Sequence, residues 1–256
     1  MGVERRRVRF SDGRGSTLAG RLDLSENGAP WAYAVVAHCF TCTKDLKALY
    51  HLGGALALAG IGALRLDFGG LGESEGDFAQ TSLAANAADL AAAGRFLWAE
   101  GRPPELLVGH SLGGAAALLA AAEMPSVRAV AVIATSADPG HLSSLLPEAR
   151  EKAREGRRVA VQLGPQTFEL EPKFFRDLES ADVAGAARGL GRPLLVVHSQ
   201  ADAVVPLAHG EDLFRQARHP KAFVSLGTAD HLLSRAEDAS RVGRLIAAWA
   251  KLHLED

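Results

Sequence analysis

Hydrophobic and polar positions follow two alternating patterns along the chain, and the change of pattern predicts the order of its elements. Two short runs near the N-terminus, RRRVRF and TLAGRLDL, have strand character and are joined by the turn-forming segment SDGRGS, so they predict a hairpin. Six later runs are largely apolar, as is typical of strands buried on both faces. These runs are WAYAVVAHCF, IGALRLDF, ELLVGH, VRAVAVIATSA, RPLLVVHSQ and KAFVSLG.

Apolar residues at helical spacing fill the intervals between these strands. The pattern predicts helices over 44–59, 82–100, 111–124, 207–217 and 235–253. Strands that alternate with helices favour an α/β fold. We therefore expect a doubly wound, mostly parallel sheet of about eight strands with helices on both faces.

Residues 138–190 interrupt the alternation. They contain a charged helix (PEAREKAREG), a small hairpin made of RRVAVQLG and TFELEP around Pro165 and Gln166, and a second short helix (KFFRDLES). This segment is too long for a plain connection and too short for a separate domain. We interpret it as a small cap inserted into a single domain that spans 1–256. Whether Phe174 and Phe175 face a pocket or anchor the cap stays open.

Composition and charge exclude several classes of partner. The 256-residue chain is 48% hydrophobic and 23% charged, which is an ordinary globular balance. Its net charge of -2 argues against nucleic acid or an anionic membrane as a partner. We see no apolar leader at the N-terminus and no run of membrane-spanning length, so we expect a cytoplasmic protein. No His/Asp/Glu spacing suggests a metal, and we expect no cofactor. The oligomeric state is left open.

The strongest chemical signal is GHSLG at 109–113, which fits G-x-S-x-G between a strand and a helix. In this tight turn Gly109 and Gly113 remove Cβ atoms that would clash, and Gly114 lets the helix pack close to the sheet. Ser111 stands at the helix N-terminus, where free N–H groups and the helix dipole stabilise negative charge. The pattern predicts Ser111 as a nucleophile.

A serine nucleophile needs a base, and enzymes with this turn place their triad in the order Ser, acid, His. Asp202 follows the strand in HSQADAVVP, and His231 follows the next strand in GTADHLLS. Both lie at the carboxyl ends of parallel strands, where open α/β sheets place their sites. We predict His231 as the general base and Asp202 as the residue that orients it. Asp138 is the alternative acid, and Asp230 is expected at the surface.

The segment HCFTCTKD at 38–45 contains the two cysteines of the chain, Cys39 and Cys42. It follows a strand at the position where such enzymes place the second oxyanion donor, so the backbone N–H groups of Phe40 and Leu112 are the predicted donors. A redox C-x-x-C normally begins at an exposed helix N-terminus, whereas Cys39 ends a buried strand. We interpret the cysteines as small packing thiols, with a redox or metal role as the weaker alternative.

The residues next to these groups are expected to form the substrate pocket. The predicted substrate-binding residues are Phe40, Thr41, His110 and Val204. His38 is expected to brace the loop that carries Phe40. The glycine-rich segment GGLGESEG lacks the endings of phosphate-binding loops and is interpreted as a tight turn.

Taken together, HCF, DFGGLGES, GHSLGG, HSQADAVVP and ADH resemble the α/β-hydrolase superfamily. HCFTCTKDLKA, LRLDFGGLGESEGDFA and ARHPKAFVSLGTADHLLSR are similar to a bacterial subgroup of small serine hydrolases. Many of that subgroup carry an OsmC-like domain behind the hydrolase; we expect none here, because the sequence ends at Asp256 just past the closing helix. The resemblance implies an esterase or acyl hydrolase with the triad named above. Cys39 replaces the superfamily's usual Gly but agrees with the subgroup.

These observations favour a serine esterase that cleaves small to medium carboxylic esters through an acyl-enzyme on Ser111, with a small-molecule ester as its partner. An acyltransferase, thioesterase or amidase with the same triad is the alternative. A non-catalytic binding module and a redox protein based on Cys39 and Cys42 are further readings.

Overall fold

The computed structural model describes residues 2–163 and 166–255. The strands are β1 (Val3–Ser11), β2 (Thr17–Ser25), β3 (Ala32–Ala37), β4 (Ile61–Leu66), β5 (Leu106–His110), β6 (Ala129–Ile133), β7 (Val159–Leu163), β8 (Gln166–Leu170), β9 (Leu194–His198) and β10 (Lys221–Ser225). The helices are α1 (Lys47–Leu58), α2 (Leu83–Ala99), α3 (Leu112–Ala120), α4 (Gly140–Ser144), α5 (Pro147–Arg154), α6 (Pro172–Ser180), α7 (Val183–Gly189), α8 (Leu207–Gln216) and α9 (Ala236–Leu254).

Eight strands form one sheet in the order β1-β2-β4-β3-β5-β6-β9-β10. β2 pairs antiparallel with β1 and with β4, and the pairs from β4 to β10 are parallel. Side chains of the buried strands alternate between two cores: in β3, Val35 packs with α2 and α3, while Ala34 and Val36 pack with α1 and α9. The predicted doubly wound, mostly parallel sheet is confirmed.

The helices begin and end close to their predicted limits, with differences at the ends. The helix predicted from residue 44 begins at Lys47, and the one predicted over 111–124 ends as a 3-10 turn at Ala121–Glu123. The sequence reading missed α4 and α7, which are too short to show a periodic pattern. Of the helices in the described ranges, none combines the length and the apolar character needed to cross a membrane.

The predicted cap segment contains α4, α5, α6, α7 and the hairpin of β7 and β8, which pair with each other and not with the main sheet. The predicted turn residue Pro165 lies outside the described residues. Phe174 and Phe175 are buried in the core, and the ring of Phe174 stacks on that of Phe40 with centroids 5.0 Å apart. These two phenylalanines therefore anchor the cap, and Phe174 also supports the loop after β3.

Candidate active site

Ser111 occupies a strained backbone position between β5 and α3. Its φ of 55° and ψ of -122° are rare for a residue with a side chain. Its N–H donates to the carbonyl of Ile133 (2.8 Å), and its own carbonyl accepts from Gly114 (2.9 Å) and Ala115 (3.3 Å). These bonds hold the serine at the carboxyl edge of the sheet with its side chain facing a cavity.

Glycines make this turn possible because their missing Cβ atoms allow backbone contacts. A Cβ on Gly109 would lie 2.4 Å from the carbonyl oxygen of Gly113, and one on Gly114 would lie 2.0 Å from Oγ1 of Thr135. A Cβ on Gly113 would lie 2.2 Å from the carbonyl oxygen of His38. Gly113 therefore has a function beyond the turn itself: it lets the end of β3 lie directly against the turn that carries Ser111.

Ser111, His231 and Asp202 are joined by hydrogen bonds across three loops. Nε2 of His231 lies 3.0 Å from Oγ of Ser111, and Nδ1 of His231 lies 2.8 Å from Oδ2 of Asp202. The loops follow β5, β10 and β9, three strands whose carboxyl ends meet at one edge of the sheet. In this arrangement Asp202 can hold the imidazole with its Nε2 lone pair toward the serine hydroxyl.

Asp202 is itself held in an ionised state. Its Oδ1 accepts hydrogen bonds from the N–H groups of Val204 and Val205, both at 2.8 Å. Burial raises the pKa of Asp202, but the hydrogen bonds from His231 and the two N–H groups outweigh burial and hold the pKa below its ordinary value. A carboxylate in this state can stabilise a protonated His231.

The competing carboxylates are occupied elsewhere. Oδ1 of Asp138 accepts from the N–H of Gly140 (2.9 Å), and Oδ1 of Asp230 accepts from Ser234 (3.1 Å). Both are exposed, as predicted for Asp230. Over residues 2–163 and 166–255, neither forms a hydrogen bond or ion pair with His231, so the alternative acid Asp138 is not placed at the site.

The loop after β3 brings its backbone to the same cavity. Phe40 and Leu112 both line the cavity beside Ser111. Among the described residues, their N–H groups make no hydrogen bond to the protein in the turns, loops and caps around the site. Two free N–H groups next to a serine hydroxyl can stabilise the negative charge of a tetrahedral intermediate.

His38 holds the start of this loop. It is fully buried; its Nδ1 donates to the carbonyl of Cys39 (2.7 Å), and its Nε2 accepts from the N–H of Phe68 (3.2 Å). Burial lowers the pKa of His38 to about 4, even though the Cys39 carbonyl favours the protonated ring. The ring is therefore neutral: its Nδ1 bonds the adjacent carbonyl of the loop, and its Nε2 joins the start of the loop to Phe68, just after β4.

Cys39 and Cys42 form a disulfide with their Cα atoms 5.4 Å apart. The interpretation of these residues as packing thiols is therefore wrong. Cys39 does not end the strand as predicted: β3 ends at Ala37, and the loop that follows turns back and brings Cys42 beside Cys39. Both half-cystines line the cavity next to Phe40 and Ser111.

A buried ionic cluster holds the other end of the loop, and no sequence pattern had indicated it. Lys44 is 1% exposed; its Nζ and its backbone N–H both donate to Asp67 at 2.7 Å, and Nζ also contacts Glu73 at 2.8 Å. Arg65 donates to the carbonyl of Lys44 and pairs with Asp23 at 2.7 Å. Burial lowers the pKa of Lys44, but its carboxylate partners outweigh this and raise the pKa above its ordinary value.

The cavity has a volume of about 520 Å³ and mostly apolar walls. Three of the predicted substrate-binding residues, Phe40, Thr41 and Val204, line it. The cap contributes Pro139, His141, Leu142 and Leu145.

The fourth predicted substrate-binding residue, His110, does not line the cavity. It is 2% exposed and lies beneath the turn, where its Nε2 donates to the carbonyl of His231 (2.7 Å). Burial lowers the pKa of His110 to about 4. His198 makes an equivalent bond from β9 to the carbonyl of Val205 (2.9 Å). These two buried rings hold the loops that carry His231 and Asp202.

Several known proteins are similar to this chain in sequence or fold. The sequence model of the Alpha/beta hydrolase family matches residues 28–255. The esterase domain of a Rhodothermus marinus protein is 41% identical, with a TM-score of 0.78 over 99% of this chain and 100% of that one. Pimeloyl-[acyl-carrier protein] methyl ester esterase of Stenotrophomonas maltophilia is 32% identical over 137 residues, which are 40% of this chain and 53% of that protein.

A more distant structure is similar to this chain in its fold. Est1E from Butyrivibrio proteoclasticus, bound to ferulic acid, is 19% identical and has a TM-score of 0.78 over 94% of this chain and 98% of that one. The family match covers most of the sequence and the sheet order agrees with it. This chain belongs to the alpha/beta hydrolase family.

Proposed function

We propose that the protein is a serine esterase that cleaves small to medium carboxylic esters through an acyl-enzyme on Ser111. The observation that carries the proposal is the hydrogen-bonded chain from Ser111 through His231 to Asp202, which opens into an apolar cavity. Phe40 and Leu112 line the same cavity, and their N–H groups serve as the oxyanion donors.

The reaction then runs in two halves. Oγ of Ser111 attacks the ester carbonyl carbon while His231 takes the hydroxyl proton, and the carbonyl oxygen becomes an oxyanion. As the C–O bond to the alcohol breaks, His231 gives its proton to the leaving alkoxide. Water, deprotonated by His231, attacks the acyl-enzyme, and the proton returns to Ser111 as the acid leaves. Asp202 stays ionised throughout and stabilises the imidazolium.

The cavity favours substrates with apolar chains. Its polar wall groups are few, and its volume of about 520 Å³ falls in the range of small-molecule sites. Leu145, Val204 and Leu232 line it and are also among the exposed large hydrophobic residues, at 48%, 41% and 42%. We call these three the apolar rim. A chain that leaves the cavity can therefore bury further methylene groups against the apolar rim.

An ester is favoured over a thioester or amide by the relatives. The Rhodothermus marinus domain is an esterase at 41% identity over nearly the full chain, and the Stenotrophomonas enzyme is a methyl ester esterase. An acyltransferase, thioesterase or amidase would use the same residues, and product analysis with alcohol, thiol and amine acceptors separates these activities. We place the protein in the cytoplasm with a small-molecule ester as its ligand.

The test is a series of nitrophenyl esters of increasing acyl length. Ser111→Ala should lower kcat by about 10⁴- to 10⁶-fold, because the nucleophile is lost. For the wild type, kcat/KM should rise by up to about fourfold per methylene until the cavity is filled. Ser240→Ala, on α9 and outside the cavity, is the matched control and should behave as wild type.

A fluorophosphonate gives an independent readout. It should label the wild type and the control at Ser111 and leave Ser111→Ala unlabelled. If Ser111→Ala hydrolyses the esters as fast as the wild type does, the mechanism is wrong. If acetate is the best substrate and every longer chain is slower, the assigned role of the apolar rim is wrong.

A further inference from the structure

The disulfide closes a tight turn around the predicted oxyanion donor. The N–H of Cys42 donates to the carbonyl of Cys39 (3.2 Å), and Phe40 and Thr41 form the middle of the turn. Thr41 has a φ of 58°, in the left-handed region that β-branched residues avoid. Oγ1 of Thr41 donates to the carbonyl of Phe40 (2.7 Å), which fixes the peptide on one side of this strained residue.

The two ends of the loop are held by other means. His38 joins the start of the loop to Phe68, and the cluster of Lys44, Asp67 and Arg65 joins its end to β4. Between these fixed ends, the disulfide is the covalent restraint on the turn. A turn with an unfavourable φ at its centre persists where its surroundings over-determine it.

We propose that the Cys39–Cys42 disulfide is a positioning element that holds the N–H of Phe40 toward the oxyanion, so that the rate of ester hydrolysis depends on the thiol–disulfide state of the loop. This inference rests on the proposed esterase function. With the bond broken, Thr41 can relax to negative φ, and the peptide that bears the Phe40 N–H turns with it. A misplacement of about 1 Å in a catalytic group can lower a rate by about 100-fold.

The step that breaks the bond is a thiol–disulfide exchange with a dithiol. One thiolate of the reductant attacks Cys39 or Cys42 and forms a mixed disulfide. The second thiol of the reductant then attacks this mixed disulfide and releases the protein sulfur. The products are two protein thiols and the cyclic disulfide of the reductant. Two electrons and two protons have passed to the protein. Both half-cystines line the cavity; Cys39 is buried and Cys42 half-buried, so a small dithiol that enters with the substrate reaches the bond from the Cys42 side. In the cytoplasm, where we place the protein, thiols are kept reduced, so the slow form would predominate there until the loop is oxidised.

The experiment compares oxidised and reduced protein in the nitrophenyl ester assay. The chain has only two cysteines, so dithiothreitol has a single target. Reduction should lower kcat by about 10- to 100-fold with little change in KM, since the loss is in the transition state. After removal of dithiothreitol, reoxidation with oxidised glutathione should restore the rate, and circular dichroism should show the same fold in both states.

Two further measurements separate positioning from a general structural role. The affinity for an arylboronic acid, whose adduct with Ser111 places an oxygen at the oxyanion position, should fall by the same factor as kcat. The ratio of oxidised to reduced kcat should be smaller in Thr41→Asn than in wild type, because asparagine tolerates positive φ. The oxidised and reduced states of the same variant are compared, so any effect of Thr41 on substrate binding cancels in the ratio.

The double variant Cys39→Ser/Cys42→Ser should have the rate of the reduced protein and should not respond to dithiothreitol. Equal kcat in the oxidised and reduced states would overturn the inference, as would a change confined to KM or unaltered boronic acid affinity. Such results would leave the esterase proposal intact. If neither redox form hydrolyses esters and no fluorophosphonate labels Ser111, the proposed function fails, and this inference fails with it.

Discussion

Two short segments meet at the cavity, and they are held in place by different kinds of contact. The turn at 109–114 and the loop at 38–44 each contribute one proposed oxyanion donor and one non-glycine residue with positive φ, Ser111 and Thr41. In the turn, three glycines admit backbone atoms at distances that a Cβ would forbid. In the loop, side chains hold the backbone: a buried histidine, a disulfide and an ion pair.

A strained backbone is therefore maintained in two different ways at this cavity. A glycine-lined turn needs no ion pair or disulfide, because close packing of its backbone against neighbouring strands enforces its shape. The loop depends on partners that lie far away along the chain, such as Asp67 and Phe68 on the far side of α1. We therefore expect an added side-chain atom to disrupt the turn, and the loss of a side-chain bond to disrupt the loop.

Outside the triad, the largest effect on the rate of hydrolysis should come from a methyl group at the contact between the two segments. In Gly113→Ala the new Cβ would lie 2.2 Å from the carbonyl oxygen of His38, so the loop and the turn must separate. We expect kcat for the nitrophenyl esters to fall by about 100-fold, with a loss of about 1–3 kcal/mol in the free energy of unfolding.

The matched control is Gly189→Ala at the end of α7, where a Cβ meets nothing within 4 Å and φ is not positive. It should retain full activity and stability. An active, stable Gly113→Ala variant would show that the two segments do not depend on direct contact.

Features that local constraints determine can be predicted from the sequence. The order of strands and helices follows from apolar periodicity, and the turn at Ser111 follows from glycine spacing, so both could be predicted from the chain alone. Asp202 and His231 were predicted from their places after β9 and β10, because parallel strands bring their carboxyl ends to one edge.

Features that depend on partners distant in the sequence could not be predicted. The disulfide depends on how sharply the loop turns after Cys39, and the loop's strained residue is a threonine, which gives no signal of positive φ. Lys44 looks like an ordinary surface lysine in the sequence, yet its partner Asp67 follows β4. His110 was expected in the pocket because it adjoins Ser111, but the turn points successive side chains in different directions.

A second variant removes the ion pair at the end of the loop. Lys44→Met keeps the length of the side chain but leaves Asp67 buried without its cation. Because one partner of a buried pair is removed, the free energy of unfolding should fall by about 3–5 kcal/mol, as measured by urea unfolding.

Lys251→Met is the control, since Lys251 forms an exposed pair with Glu255 at 3.4 Å on the surface of α9. Its loss should change stability by about 0.5 kcal/mol or less. If the two variants are equally stable, the buried cluster does not hold the loop.

The smallest effect concerns the buried histidines, His110 beneath the turn and His38 at the start of the loop. The pKa of His110 is lowered to about 4 in the folded protein, whereas an unfolded histidine titrates near about 6.5. Between these two values the unfolded chain binds a proton that the folded protein does not, so stability must fall as the pH falls through this window. The stabilisation from the neutral His110 ring is fully present above about pH 6.5. Below that pH, the free energy of unfolding falls by up to about 1.4 kcal/mol per pH unit.

His110→Gln removes this proton but keeps an N–H that can donate to the carbonyl of His231. Its free energy of unfolding, measured by urea between pH 4.5 and 7.5, should therefore depend on pH less steeply than that of the wild type, by up to about 1.4 kcal/mol per pH unit. His38→Gln should reduce the pH dependence of the free energy of unfolding by a similar amount, because the pKa of His38 is also lowered to about 4. Equal slopes in the wild type and both variants would mean that neither ring excludes a proton in the folded state. A change in one variant alone would show that only one of the two segments depends on a neutral imidazole.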